Sequence, residues 1–252
     1  MLQDQRHAAI LEELKLKHAV KVTDLARKLE ISESTIRRDI NELDQQEKLK
    51  RVFGGAISLS GVKRLGLMDG VTDVAARSRV NVELKEQIAR YAAALVRDDD
   101  FVFIDAGTTT ERMLDYLENK RATYVTNGLA HARKLMENGF DAYMVGGLLR
   151  ISTEAAIGTL AVESLKQYNF TKSFVGTNGV DLEKGFSTPD IGEAAVKTAV
   201  IKQSQQSYVL ADHTKFGLIS SVTFAQLADA CIITNQESSP QYGEQTEIRV
   251  AE

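Results

Sequence analysis

From residue 82 onward, short apolar runs alternate with helical segments, and this alternation constrains the fold of the 252-residue chain more than any other feature. "FVFIDAG" is followed by "TTERMLDYLEN", "TYVTN" by "GLAHARKLMENG", "AYMVGG" by "LAVESLKQY", and "KSFVGTNG" by "GEAAVKTAVIKQS"; the strands "QSYVLADH" and "ACIITN" complete the set. An uninterrupted apolar strand is buried on both faces, and an intervening helix returns the chain for parallel pairing. The expected architecture is a mainly parallel α/β sheet with helices on both faces. "VELKEQIARYAAALVRDDD" precedes it as an amphipathic helix, with Leu84, Ile88, Tyr91, Ala92 and Leu95 at helical spacing.

In sheets of this kind ligands sit beyond the carboxyl ends of the strands. Those ends read Asp105-Ala-Gly-Thr-Thr-Thr, Thr126-Asn127, Gly146-Gly147, Thr177-Asn178-Gly179-Val180-Asp181 and Asp212-His-Thr-Lys215. Each alone is ordinary turn chemistry. Together on one rim they predict a polar pocket. The best anion cradle is Gly107–Thr110: Gly107 is expected to let the backbone turn sharply, so that the amides of Thr108, Thr109 and Thr110 point outward at a helix N-terminus. The segment lacks the lysine of a P-loop and the later glycines of a dinucleotide fingerprint, which predicts a monophosphate on a small polyol or sugar. Lys215 and Arg150 are candidate charge partners. Glu193 and Lys197, one turn apart on a predicted helix, either reach the ligand or form an ordinary i,i+4 surface ion pair.

The first residues are organised differently. Ala8, Ile10, Leu11 and Leu14 give one helix an apolar face, "KHAVKV" is read as a connection, and Thr23 is expected to cap a helix over "DLARKLEI". Ser32 is the expected cap of a third helix, "SESTIRRDINELDQQEKL", with Ile36, Ile40 and Leu43 as its buried stripe. At 100° per residue, Ser34, Arg38 and Asn41 then lie opposite that stripe, with Thr35 and Arg37 on its flanks. Hydroxyls, arginines and an amide are the groups that anchor phosphates and read base edges. "KLKRVFGGAISL" follows as two alternating segments around Gly54-Gly55, with Lys48, Lys50 and Arg51 at the base. That is the pattern of a winged helix-turn-helix; the other reading is a small three-helix domain with a solvated charged face. Net charge is −4 over the whole chain, so a claim on DNA rests on where the charges point.

Other function classes are excluded on simpler grounds. One cysteine, Cys231, permits no internal disulfide. The start carries no apolar signal core and no stretch approaches the ~20 apolar residues of a membrane helix, so a soluble cytoplasmic protein is expected. His7, His18, His131 and His213 are scattered without ligand spacing, and neither a metal nor a cofactor is expected.

The stretch "SESTIRRDINELDQQEKLKRVFGGA" resembles the DeoR family of bacterial transcriptional regulators. The matching positions are Ser32, Thr35, Ile36, Arg37, Arg38, Asp39, Ile40, Arg51, Gly54, Gly55 and Ala56; Phe53 departs, where many members carry histidine. "FIDAGTTTE", "VTNGLAHARKL", "VGGLLRISTEAAIG", "FVGTNGVD" and "ADHTKFG" are similar to successive motifs of that family's effector domain. The resemblance implies a winged helix-turn-helix over 1–57, a linker over 58–81 and a sugar-phosphate-sensing domain over 82–252. That last domain is similar to phosphopentose isomerases. It further implies contacts to operator DNA from Ser34, Thr35, Arg37, Arg38, Asn41, Lys50, Arg51, Gly54 and Gly55. For the effector it implies a phosphate at Gly107–Thr110, hydroxyl contacts around Asp105, Asn127 and Asn178, and Lys215 near the phosphate. Gly147, Arg150, Glu193, Lys197 and Asp212 complete the expected rim. "GFSTPDIGEAAVK" resembles the fructose-operon repressor subgroup, a likeness that implies fructose 1-phosphate as the inducer, and a homodimer or homotetramer is implied.

An isomerase would need a carboxylate base and an acid for the carbonyl oxygen. Asp105, Asp181, Asp190, Glu193 and Asp212 are available in name. Related isomerases carry Asp-Gly-Ala-Asp and a glycine-rich Lys segment at "TNGVDLEKGF"; here Asn178 replaces the first aspartate, and an amide accepts no proton. A sensor that binds without turnover is the expectation, with an isomerase-like enzyme carrying an accessory DNA-binding domain as the alternative.

Overall fold

The computed structural model describes residues 3–17, 19–29, 31–46, 48–52, 55–57, 74–236 and 240–251. The chain divides into two units, Met1–Leu67 and Met68–Glu252. The first holds α1 (Gln3–Lys17), α2 (Val22–Leu29) and α3 (Glu33–Gln45), with β1 (Ala19–Lys21), β2 (Lys50–Val52) and β3 (Gly55–Ile57). Its core joins Ile10 and Leu14 of α1, Leu25 of α2 and the expected stripe Ile36, Ile40 and Leu43 of α3. Ser32 caps α3, its hydroxyl accepting the Thr35 amide at 3.3 Å. Helix α2 begins at Val22, so Thr23 lies inside its first turn rather than capping it.

The three strands form an antiparallel sheet in the order β1-β3-β2. "KHAVKV" is therefore more than a connection: Val20 is buried and β1 gives the wing a third strand. Gly55 opposes Lys21 of β1 and Val52 of β2. A Cβ there would stand 2.0 Å from the Val20 carbonyl oxygen, which requires glycine.

In the second unit, β4 (Phe101–Ile104), β5 (Thr123–Thr126), β6 (Ala142–Met144), β9 (Phe170–Gly176), β12 (Ser204–Leu210), β14 (Cys231–Thr234) and β15 (Ile248–Val250) form one seven-stranded sheet. Every neighbouring pair in it is parallel. The order is β15-β14-β12-β9-β4-β5-β6. From β4 the chain first builds outward through β5 and β6, then crosses back to β9 and builds the other way. The β4/β9 boundary is the point where connections diverge and a crevice opens. One core cluster holds Phe103, Phe170, Val175 and Val209, and the other Ile104, Tyr124, Phe174 and Tyr208. Neighbouring residues of one strand thus pack into different clusters, as in a sheet covered on both faces.

Helix α5 (Val82–Ala94) buries Ile88, Ala89, Ala92 and Ala93. The remaining helices that matter here are α6 (Thr108–Met113), α7 (Leu129–Glu137), α8 (Thr159–Leu165) and α9 (Ile191–Lys202). Antiparallel pieces add to the alternation read from sequence: a hairpin of β7 (Leu148–Arg150) and β8 (Ala155–Ile157), and a small sheet of β10 (Gly179–Asp181), β11 (Gly185–Thr188) and β13 (Val222–Ala225). Residues 74–81, expected as the end of a linker, lie within the second unit, where α4 (Val74–Ser78) leads into α5. Among the described residues no helix is long and apolar enough to cross a membrane.

Candidate functional site

A cavity of about 250 Å³ opens where β4 and β9 end. Its floor is an ion pair. Asp105, the residue after β4, is 2% exposed, and its Oδ2 receives Lys197 Nζ from α9 and the Gly176 amide at 3.0 Å. Lys197 also donates to the Gly176 carbonyl at 3.0 Å. Of the two readings of Glu193 and Lys197, the surface pair is thus not what forms: Lys197 is buried and turned to Asp105. Glu193 lines the cavity separately, with Oε2 3.3 Å from Thr188 Oγ1.

Gly107, Thr108 and Thr109 form one wall at the start of α6, where the first amides of a helix have no intrahelical acceptor. Gly107 does not make the sharp turn expected of it. Its φ of −136° is open to any residue. What the position demands is space, since a Cβ would meet Thr110 Oγ1 at 3.0 Å. Thr110 faces inward: its hydroxyl donates to the Asp105 carbonyl at 2.5 Å, accepts the Gly107 amide at 3.0 Å and lies 3.2 Å from His131 Nε2. Burial pushes the His131 imidazole down to about 4, so the group behind this wall is neutral near pH 7. Thr110 builds the cradle rather than lining it.

Three more expected residues lie behind or beside the cavity. Asn127 is buried, with Oδ1 accepting the Ala106 amide at 2.9 Å and Nδ2 3.4 Å from the Ala156 carbonyl, so it holds the β4–α6 turn in place. Gly147 has φ of +145°, and a Cβ there would stand 2.7 Å from the Ile157 carbonyl, a packing requirement. Arg150 Nη2 pairs with Asp190 Oδ2 at 2.8 Å, tying the hairpin to the N-cap of α9. Asp105, Gly107, Thr108, Thr109, Asn178, Glu193, Lys197, Asp212 and Lys215 do line one cavity.

The sequence reading missed the side of the pocket formed by residues 76–85. Arg77, Asn81 and Lys85 line it. Lys85 is 6% exposed and donates to the Arg77 carbonyl. Desolvation, helped by the nearby Lys215 charge and opposed by Asp212, lowers it to about 8. Asn81 adopts a left-handed conformation, φ 53°, and its amide reaches Asp212 Oδ1 at 3.4 Å and Thr214 Oγ1 at 3.3 Å. Asp212 in turn caps the short helix His213–Lys215, accepting the Thr214 amide at 3.0 Å. A signal for Lys85 was present. It stands three, four and seven residues before Ile88, Ala89 and Ala92, on the buried stripe of α5 where an unpaired lysine would be costly.

The carboxylates nominally open to proton transfer are mostly committed. Asp181 Oδ1 caps the following turn, accepting the Glu183 and Lys184 amides at 3.0 and 3.1 Å. Asp190 accepts the Glu193 amide at 2.9 Å and holds Arg150. Asp105 is neutralised by Lys197. Among the described residues, no group of three or more His, Cys, Asp or Glu is arranged to hold a metal ion.

In the first unit, α3 turns Ser34, Arg38 and Asn41 to solvent opposite its packed stripe, and on the flanks Arg37 is exposed and Thr35 half-buried. The Ser32 hydroxyl lies 2.9 Å from both Ser34 Oγ and Thr35 Oγ1, which orients the first turn. Arg37 Nη2 meets Glu33 Oε2 at 2.9 Å. Asp39 is buried and receives Arg6 Nε at 2.7 Å and Nη2 at 2.9 Å, a bidentate clamp of α3 onto α1. Arg51 is exposed, with its amide held by Asp44 Oδ1 at 2.9 Å. Gly55 is buried and serves strand packing. Gly54 and the Lys50 side chain lie outside the described residues.

Residues 6–62 match the DeoR-like helix-turn-helix domain and residues 80–236 the DeoR C terminal sensor domain. The chain is similar to FruR of Bacillus subtilis, an uncharacterized HTH-type transcriptional regulator, with 40% identity over 99% of each chain. It is also similar to the glycerol-3-phosphate regulon repressor of Escherichia coli, with 32% identity over 90% of this chain and 88% of that one. The solved ribose 5-phosphate isomerase A of Methanocaldococcus jannaschii overlaps 54% of this chain and 55% of its own, with 17% identity and a TM-score of 0.41, too distant to bear on activity.

Proposed function

The chain belongs to the DeoR family of transcriptional regulators, and from that membership we propose that it represses a sugar-utilisation operon in the cytoplasm and is released from operator DNA by a phosphorylated sugar. The observation that carries this reading is that Arg77, Lys85 and Lys215, whose charges act on one another, line the same cavity as Thr108 and Thr109 at the start of α6. Cations and free amides together suit a phosphate. The polar remainder, including Asn178 and Glu193, suits hydroxyls. About 250 Å³ is just under the roughly 300–1,000 Å³ of typical ligand clefts and favours a small ligand. Fructose 1-phosphate is the best candidate, supported by the likeness of Gly185–Lys197 to fructose-operon repressors and by the relative named FruR.

The reading is binding without turnover. Asn178 supplies no base, Asp105 is paired, and Asp181 and Asp190 are engaged in capping. Two recognition helices of a homodimer or homotetramer would enter successive major grooves, with Arg37, Arg38, Lys50 and Arg51 on phosphates and Ser34, Thr35 and Asn41 toward bases. Coupling would run through the chain itself, because Arg77 and Asn81, which line the ligand cavity, lie in the first described segment of the second unit. A ligand shifts this balance only by its difference in affinity for the two states. The test is a thermal melt of the full chain with fructose 1-phosphate, fructose 6-phosphate, tagatose 6-phosphate and glycerol 3-phosphate. Ligand at a hundred times its Kd adds about 2.7 kcal/mol. Stabilisation by none of the four, or efficient turnover of any, would contradict the reading.

A further inference from the structure

The charged and polar residues that line the pocket fall into two interacting groups, which we place at opposite ends. At one end Arg77, Lys85 and Lys215 gather: Lys85 Nζ donates to the Arg77 carbonyl, and the Lys215 and Arg77 charges both act on Lys85. Asp212, which caps the turn carrying Lys215, is the counter-charge there. At the other end Thr188 Oγ1 lies 3.2 Å from Asn178 Oδ1 and 3.3 Å from Glu193 Oε2, so the charged group is a carboxylate among neutral polar ones. Asp105 and Lys197, which also line the cavity, neutralise each other. Glu193 stands in the first turn of α9, where the unpaired amides of a twelve-residue helix favour a carboxylate.

We propose that Glu193 makes this pocket selective for sugar monophosphates over sugar bisphosphates, on the premise that the cavity is a sugar-phosphate site. One phosphate occupies the Arg77–Lys85–Lys215 end. The far end of the ligand then meets Glu193, whose carboxylate accepts sugar hydroxyls and repels a second phosphate carrying about −1.5 to −2 charge. Specificity of this kind comes from an unfavourable contact built against the competitor. At a separation of ~5 Å and an effective dielectric of ~40–80, the repulsion corresponds to a discrimination of roughly tenfold to a few hundredfold.

The experiment is calorimetric titration of the full-length protein with fructose 1-phosphate, fructose 6-phosphate and fructose 1,6-bisphosphate, in wild type, Glu193→Gln and Asn178→Asp. Wild type is expected to bind a monophosphate at least about tenfold more tightly than the bisphosphate. Glu193→Gln, isosteric and still able to meet Thr188, should collapse that ratio by improving bisphosphate affinity. Asn178→Asp, which adds a second carboxylate at the same end, should widen it. A ligand-free melt of each variant reports folding independently of the ratio. A monophosphate that binds with the same selectivity in wild type and Glu193→Gln overturns this inference and leaves the sugar-phosphate reading standing. Binding of none of the three sugars overturns both.

Discussion

Asp105 and Lys197, 92 residues apart in sequence, form a buried ion pair across the floor of the sensor pocket. It ties the end of β4 to α9 at the topological switch point and places two formal charges where solvent barely reaches. Removing one partner leaves the other buried and uncompensated, a loss of about 3–5 kcal/mol. Lys197→Met and Asp105→Asn should each lower stability by that amount in chemical denaturation, and the double variant should lose less than the two added together. Additive losses would mean the pair is not coupled.

The clamp between Asp39 and Arg6 fixes the recognition helix to α1 through a bidentate contact at 2.7 and 2.9 Å. Asp39→Ala should destabilise the DNA-binding unit, since the bidentate clamp of α3 onto α1 is lost. Operator binding should then disappear on warming while sugar-phosphate binding persists. Loss of both together would show that the two units do not unfold separately.

Why these sites were unequally legible follows from the signals each leaves in the sequence. Strands β4, β5, β9, β12 and β14 are apolar runs bounded by turns, and their polar ends announced the rim. The hairpin β7–β8 and the strand β10 are three residues each, too short for periodicity to register. Strand β15 is half-buried throughout and carries no apolar run. Asn127 and Thr110 read as ligand contacts because an amide or hydroxyl at a strand end looks the same whether it faces ligand or backbone. Only tertiary placement separates them. Arg77 and Asn81 stood in a stretch without periodicity, and nothing local marked them. Lys85 was visible in principle as a charge on an apolar stripe.

Lys85 gives a pH dependence with a definite sign. Its folded value of about 8 lies below the ordinary 10.5. Below about pH 8 both folded and unfolded chains carry the proton, and the cost of a buried ammonium is fully present. Between that pH and 10.5 the unfolded chain holds more protons, so the Lys85 contribution to stability rises with pH. Lys85→Met should remove that rise. Phosphate affinity should move the opposite way in wild type, falling as the amine neutralises above about pH 8. A wild-type stability that fails to rise relative to that of Lys85→Met across this window would rule the shift out.

Arg38 is exposed on α3, away from its packed face. Arg38→Ala should weaken DNA binding and reduce the slope of log K against log salt by about 1, the signature of one lost phosphate contact. The melting temperature should not change, since no core contact is removed. An unaltered slope would take Arg38 off the DNA backbone.

The central claim is that a ligand in the sensor pocket controls DNA affinity. DNA recovered by the full-length protein from a random duplex library, labelled and titrated by fluorescence anisotropy, provides the readout. Fructose 1-phosphate should lower the affinity of wild type for this DNA by about tenfold or more. Thr109→Val and Lys215→Ala should bind the same DNA with wild-type affinity and show no response to the sugar. Equal responses in wild type and both variants, or a wild type indifferent to the sugar while demonstrably bound to it, would contradict the account.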